Sequence, residues 1–289
     1  MTLNHLNELE NITSPWAGSL PGDNIEILRS PLLQSFEGIS HTFTTRRGGI
    51  SPPPFDSLNL SSKTGDPQFN VSENISRLSE KLSIKEDLFF LEQVHGNEVL
   101  TVGNTNAEHL YRQFDAAISK SHSIPLSILT ADCLPLLIYD PQKKAIGAVH
   151  AGWRGTSCGI AEKTIKEMGR VFDCRAEDMV VAMGPSIGPC CYEVDKTVLD
   201  AFSQRGDKGL EEWSKASELC LKDKEKSWHF NLSEANRVQL LRLGIKENNI
   251  SATSYCTCCT EELFFSYRRD GDKTGRLGAI IMLKEEMTN

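Results

Sequence analysis

Apolar positions in this chain fall mostly into short runs bounded by Gly, Pro, Asn and Asp, a pattern that predicts many strands. His41–Thr45 alternates and is β-branched. Leu88–Val94, Glu98–Val102, Leu134–Tyr139, Ala145–Val149, Met179–Met183, Ile250–Tyr255 and Leu277–Leu283 follow, and Ile25–Leu28 is a weaker first strand that Pro31 stops from extending. Helical spacing occurs in fewer places. Val71–Leu82 sets Ile75, Leu78 and Leu82 on one side. Beyond Gly155, a helix capped by Thr156 or Ser157 sets Ile160, Ile165, Met168 and Phe172 on another, and Asn231 caps a third that carries Leu232, Ala235, Val238 and Leu241. Asp195–Cys220 reads as a helical cover of mixed polarity. Residues 1–23 are polar and contain Pro15 and Pro21, so they read as a loosely attached tail.

The stretch Thr130–Gly155 places chemistry at the open end of a hairpin. Its two apolar runs are separated by Asp140-Pro141-Gln142-Lys143-Lys144, with proline at the second turn position. With the turn centred near Gln142, His150 or its neighbour stands opposite Cys133, at a Cβ separation of roughly 4.5–5.5 Å. Asp132 precedes the thiol, and Gly152-Trp153-Arg154-Gly155 follows the imidazole. Two chemistries fit: Cys133 as a nucleophile with His150 as its base, or both as ligands of a zinc ion. Packing would account for either residue alone, since free cysteine is among the most buried types. A Gly-rich turn with an arginine after a strand-end histidine, however, has little packing purpose. The helix start beyond it turns free N–H groups toward the same corner as Arg154.

His95-Gly96 at the end of Leu88–Val94 supplies a third donor, and three protein ligands with one open position is how catalytic zinc sites are built. The remaining cysteines offer no fourth ligand. Cys256-Thr257-Cys258-Cys259 is too compact to chelate one ion well, and adjacent Cys190 and Cys191 cannot both face one way in an extended chain, so at most one belongs to a site. Arg46-Arg47-Gly48-Gly49 is either a phosphate cradle or a solvated turn, and the loop after it carries Asn59. Gly184-Pro185-Ser186-Ile187-Gly188-Pro189 forces a rigid loop at a strand end. Phe264-Phe265-Ser266-Tyr267-Arg268-Arg269, followed by Thr274-Gly275-Arg276, suits a planar or phosphate-bearing ligand as well as it suits a core strand leaving into a charged turn.

Composition narrows the class. The chain has 289 residues, a formal net charge of -8 and a pI near 5.5, which argues against a general nucleic-acid or membrane-surface role. No run approaches the ~18 apolar residues of a membrane span, and no basic-then-apolar signal pattern opens the chain, so a cytoplasmic protein is expected. Nine cysteines in that compartment read as reduced thiols.

Val94-His95-Gly96, Ala131-Asp132-Cys133, His150-Ala151-Gly152-Trp153-Arg154-Gly155, Gly184 to Val194 and Phe265-Ser266-Tyr267-Arg268-Arg269-Asp270 together resemble the YfiH family, once labelled laccase-domain or polyphenol oxidase proteins. The likeness runs from about Thr42 to Leu283. It implies an α+β fold, a single-domain mixed α/β sandwich with α/β/β/α layers, here residues 24–289. It also implies zinc on His95, Cys133 and His150, and phosphate-dependent cleavage of adenosine, inosine and methylthioadenosine to base and ribose 1-phosphate, with adenosine deamination besides. Purine nucleosides and phosphate are then the expected partners, with Asp132 and Arg154 catalytic and Arg47, Asn59 and Arg268 binding substrate or phosphate.

Residues alone test the older label. A multicopper oxidase needs many histidines, often in His-x-His pairs; this chain has seven and no such pair. Two other classes compete with the phosphorylase: a metal-free Cys–His hydrolase of amidase type using Cys133 and His150, and a non-catalytic zinc-stabilised binding protein.

Overall fold

A computed structural model describes residues 17–18, 25–103, 113–205, 214–216 and 228–285. The strands are β1 (Ala17–Gly18), β2 (Ile27–Leu28), β3 (Ile39–Thr44), β4 (Phe89–Phe90), β5 (Val99–Val102), β6 (Ala116–Ser119), β7 (Leu126–Thr130), β8 (Leu134–Asp140), β9 (Ala145–Ala151), β10 (Val180–Met183), β11 (Glu193–Val194), β12 (Ser214–Ala216), β13 (Trp228–Phe230), β14 (Ile250–Ala252) and β15 (Leu277–Leu283). The helices are α1 (Pro31–Gln34), α2 (Gln68–Leu82), α3 (Trp153–Ser157), α4 (Ile160–Phe172), α5 (Lys196–Gln204), α6 (Leu232–Arg242) and α7 (Tyr267–Asp270).

Two six-stranded sheets carry the fold. One has the order β1-β2-β3-β15-β7-β4 and the other β14-β10-β8-β9-β6-β5; a small third sheet is β11-β13-β12. Side-chain alternation decides how they stack. On β15, Leu277, Ala279 and Ile281 face Leu137, Tyr139, Ile146 and Ala148 of the second sheet, while Ile280 and Met282 face Leu78 and Leu82 of α2. Along β8, Leu134, Leu136 and Ile138 face the other way, onto Ile160, Ile165 and Met168 of α4, Phe202 of α5 and Leu240 of α6. Both sheets are therefore covered on both faces, giving α/β/β/α layers. This explains why β8, β9 and β15 read as near-continuous apolar runs and are buried throughout.

The β8–β9 hairpin closes where the sequence expects it. Asp140 Oδ1 accepts from the backbone N–H groups of Gln142 and Lys143 at 2.8 and 2.9 Å, the local bonding that makes aspartate a turn former. Its register pairs Asp140 with Ala145 and Pro135 with His150.

Several boundaries differ from expectation. The helix after Gly155 is two helices: α3 starts at Trp153 with Gly152 as its cap, Thr156 N already donates to Gly152 O at 2.8 Å, and Gly159 at φ 75° separates α3 from α4. Of the two readings of Phe264–Arg269, the core strand does not form: Phe264 and Phe265 are buried in the core and Ser266 caps α7. Of Asp195–Cys220, Lys196–Gln204 is helix, capped by Asp195 and Arg205, and Ser214–Ala216 is strand; residues 206–213 and 217–220 lie outside the described residues, as does most of the N-terminal tail. Ala17–Gly18 of that tail pairs with β2 as an outer strand, satisfying a sheet edge that would otherwise be open.

Candidate active site

The chain passes from the first sheet to the second between β4 and β5, and again between β7 and β8. His95 lies on the first crossover and Cys133 on the second, and His150 sits near the end of β9 beside both. Their donor atoms all lie within 4.8 Å of one another. Cys133 Sγ is 3.8 Å from His95 Nε2, and the two imidazole rings meet edge to face at 4.8 Å between centroids. His150 is buried, Cys133 half-buried and His95 exposed, so the group opens to solvent on the His95 side.

The register refines the sequence reading. His150 is directly opposite Pro135, two positions along from Cys133, so thiol and imidazole meet on the diagonal. Gly152 covers the trio instead. A Cβ there would stand 2.9 Å from Cys133 Sγ and 3.1 Å from His95 Cδ2, so glycine is required by space and not by backbone angle, φ being -73°.

Two buried aspartates shape the site. Asp115, at the start of β6, accepts from His150 Nδ1 at 2.7 Å and from the backbone N–H groups of Val94, His95 and Gly96 at 3.2, 3.0 and 2.7 Å. One carboxylate thus aims the His150 ring, leaving Nε2 toward the trio, and holds the tight turn in which His95 has φ 63°. Sequence reasoning missed it, because a lone Asp before a short apolar run resembles a solvated strand end. Asp132, at φ 86°, is the second. Its carboxylate accepts from Thr257 Oγ1 at 2.6 Å, Ser266 Oγ at 3.0 Å and Arg268 N at 2.6 Å, and its carbonyl from Ile187 N at 2.9 Å. Through these bonds Asp132 holds the turn that presents Cys133.

The electrostatics follow from burial and pairing. Burial pushes the Cys133 thiol up, but the His150 charge and hydrogen bonds from both rings outweigh it and bring it down to about 6. Burial pulls His150 down, yet the Cys133 thiolate and the Asp115 carboxylate carry it up to about 9. Burial also raises Asp115, and the bond from His150 reverses this to a net lowering.

The expected basic residues divide. Arg154 is exposed, its guanidinium 4.3 Å over the Trp153 ring; Arg268 lies 5.3 Å over Tyr192 and donates to Glu193 O at 2.8 Å. Tyr192, whose hydroxyl is pushed up first by burial and then by the Cys133 thiolate, feels both arginines. Arg276, half-buried and lowered by burial, feels Cys133 and Asp132; in the sequence it stands at the end of the stretch that suits either a phosphate-bearing ligand or a charged turn. Arg47 stands apart. It pairs with Glu26 at 3.2 Å and lines a surface cleft of about 510 Å³ with Arg46, Asp56, Ser57, Glu261 and Glu262, and no residue of the trio lines that cleft. Asn59 is fully buried. Its amide donates to Ser61 O, Thr64 Oγ1 and Asp66 Oδ2 and accepts from Ser61 N and Arg276 N, leaving nothing for a ligand. Its expected substrate contact is corrected to a structural role.

The cysteine expectations also change. Residues 189–191 form a turn and not an extended chain, so Cys190 and Cys191 both approach Cys259, at 3.4 and 3.2 Å, with Cys256 in the same group.

Residues 40–284 match a family described as "Multi-copper polyphenol oxidoreductase laccase". The chain belongs to this family. Within it, the chain is 36% identical over 259 residues to a Bacteroides thetaiotaomicron protein named purine nucleoside phosphorylase, covering 87% of this chain and 94% of that one. It is 32% identical over 294 residues to the mouse purine nucleoside phosphorylase LACC1, covering 98% of this chain but spanning only 65% of the mouse protein. The crystal structure of YlmD from Geobacillus stearothermophilus superposes with a TM-score of 0.81 at 33% identity, over 92% of this chain and 98% of that one. The YfiH resemblance and the sandwich it implies thus hold. The multicopper description does not suit this member's donors: among the described residues, the groups that could share an ion are the His/His/Cys trio and one all-cysteine set.

Proposed function

We propose that this chain is a zinc-dependent purine nucleoside phosphorylase, converting adenosine, inosine or methylthioadenosine and phosphate to the free base and ribose 1-phosphate, with adenosine deamination as a side activity. The observation that carries the reading is the convergence of His95, Cys133 and His150 beneath Gly152, with one open side. Two imidazole nitrogens and a thiolate suit zinc, and the absent Cβ leaves space above the donors. The names of the relatives support the substrate class.

His95, Cys133 and His150 would hold the ion, which would supply Lewis-acid chemistry at the open side of the trio. The remaining functions belong to the chain. Asp115 keeps the Nε2 of His150 directed inward and the His95 turn closed. Asp132 fixes the turn that presents Cys133. Arg154, Arg268 and Arg276 form the basic surroundings in which phosphate can be held while negative charge develops on the departing base. Tyr192 supplies an aromatic face beside Arg268.

The lowered Cys133 thiol would equally serve a nucleophile, so the metal-free hydrolase keeps a specific observation in its favour. Incubating the protein with adenosine or inosine, with and without phosphate, and following products by chromatography separates the readings. Phosphate-dependent release of base is expected. Cys133→Ala is expected to lose the zinc held at the trio and all turnover together; a folded variant whose zinc content equals that of the wild type would overturn the ligand assignment, and covalent trapping of Cys133 by a substrate analogue would favour the hydrolase.

A further inference from the structure

A second group of ligating side chains lies outside the trio. Cys190 and Cys191 come from the turn after β10, and Cys256 and Cys259 from the turn after β14. Their four sulfurs lie within 4.8 Å of one another. The two turns are built to present sulfur. Cys191 N and Tyr192 N both donate to Gly188 O at 3.0 Å, which curls the first turn so that two adjacent cysteines face one way. In the second, Thr260 N donates to Cys256 O at 3.0 Å, closing a Cys-x-x-Cys loop. The turns are joined by Thr257 N donating to Ser186 O at 3.0 Å.

The surroundings resemble those of a bound thiolate. Gly188 N donates to Cys256 Sγ at 3.2 Å, and the backbone N–H groups of Cys258 and Cys259 are directed at the same sulfur. Such donors stabilise negative charge on sulfur and orient it, as the partners of metal-bound ligands do. Gly188 itself is packed beneath the group, where a Cβ would meet Cys256 Cβ at 3.2 Å and Cys190 Sγ at 3.3 Å. Four thiolates at a Zn–S distance of ~2.3 Å in a tetrahedron stand ~3.8 Å apart. The sulfur contacts of 3.2 and 3.4 Å and the outer limit of 4.8 Å bracket that value, whereas a disulfide needs about 2.05 Å.

We infer that Cys190, Cys191, Cys256 and Cys259 form a closed tetrathiolate site for a thiophilic divalent cation of the zinc type, structural in role and separate from the trio. Four protein donors leave no open position, so the site does no chemistry on substrate. Its effect is on the wall of the candidate active site. The two turns carry Ile187 and Thr257, which both bond to Asp132, and Arg268 Nη1 donates to Cys191 O at 3.3 Å. The cation clamps the partners that fix the Cys133 turn.

The inference stands without the phosphorylase reading, and counting ions keeps the two apart. Full-length protein purified under reducing conditions with zinc present is weighed by native mass spectrometry, as wild type, Cys133→Ala and Cys259→Ser. Two ions are expected on the wild type and one on each variant. Cobalt-loaded Cys133→Ala is expected to show thiolate-to-metal charge-transfer bands of a tetrahedral all-sulfur site, a signature that does not depend on Cys259→Ser folding. A folded Cys133→Ala protein that takes up neither zinc nor cobalt overturns the proposal. So does a disulfide joining two of these four cysteines, found by peptide mapping of protein purified and denatured without reductant.

Discussion

At the scale of single residues, the candidate site depends on one coupled pair. Free of metal, Cys133 titrates near 6 and His150 near 9, so between those values the pair is thiolate and imidazolium. Binding a cation needs thiolate and neutral imidazole, and therefore expels one proton from His150 across that window. Apparent zinc affinity at the trio is then expected to rise about tenfold per pH unit from 6 to 9, and to fall more steeply below 6, where the thiol must also lose its proton. Competition against a chromophoric chelator, carried out on Cys259→Ser so that one site is read, checks this; an affinity flat over the window would contradict the pairing. The three donors were legible because each follows or precedes a strand and stands next to Gly or Asp. Asp115 was not, since a carboxylate reveals its bonds to His150 and the 94–96 turn only when β6 lies beside β9.

At the scale of elements, helix α2 holds the loop that precedes it. Asn74 is fully buried on that helix, accepting from Ile50 N at 2.8 Å and donating to Ser51 Oγ, Ser57 O and Asn59 O at 2.8, 3.1 and 2.9 Å. Truncating it leaves buried backbone groups without partners, at ~1–3 kcal/mol for each unsatisfied group. Asn74→Ala is expected to lower unfolding stability by about 2 kcal/mol in denaturant titrations while Leu78, on the same helix, stays packed. A loss of only a few tenths would mean that water satisfies the loop. Strands with two buried faces, such as β8 and β15, were readable from apolar run length alone. Element boundaries were less so. The split between α3 and α4 depends on Gly159 adopting a positive φ, and the aromatic pair Phe264-Phe265 turns inward where its composition resembles a strand.

At the scale of the molecule, the trio sits where the chain changes sheets, so an ion bound there would tie two crossovers to the end of β9. Ligands that bind only the folded state stabilise it by mass action, by ~2.7 kcal/mol at a hundredfold excess over Kd. Stripping the cation is expected to lower Tm by roughly 5–10 °C for a chain of this size and to speed hydrogen exchange around His95 and Cys133. Exchange rates there that do not respond to the chelator would argue against a shared ion.

The sequence by itself determined where most of the strands lie and singled out His95, Cys133 and His150 as candidate donors, because strand periodicity and the chemistry of Cys and His are local properties that need no knowledge of neighbours; the layered sandwich came only with the family resemblance. Only the tertiary structure decided what surrounds them. Asp115 behind His150, Gly152 over Cys133, Asn59 spent on scaffold contacts, Arg47 set on a cleft away from the trio, and four cysteines gathered from two distant turns all result from strand register and the stacking of two sheets. Register is a cooperative outcome of packing across the whole sandwich, and no single stretch of chain encodes it.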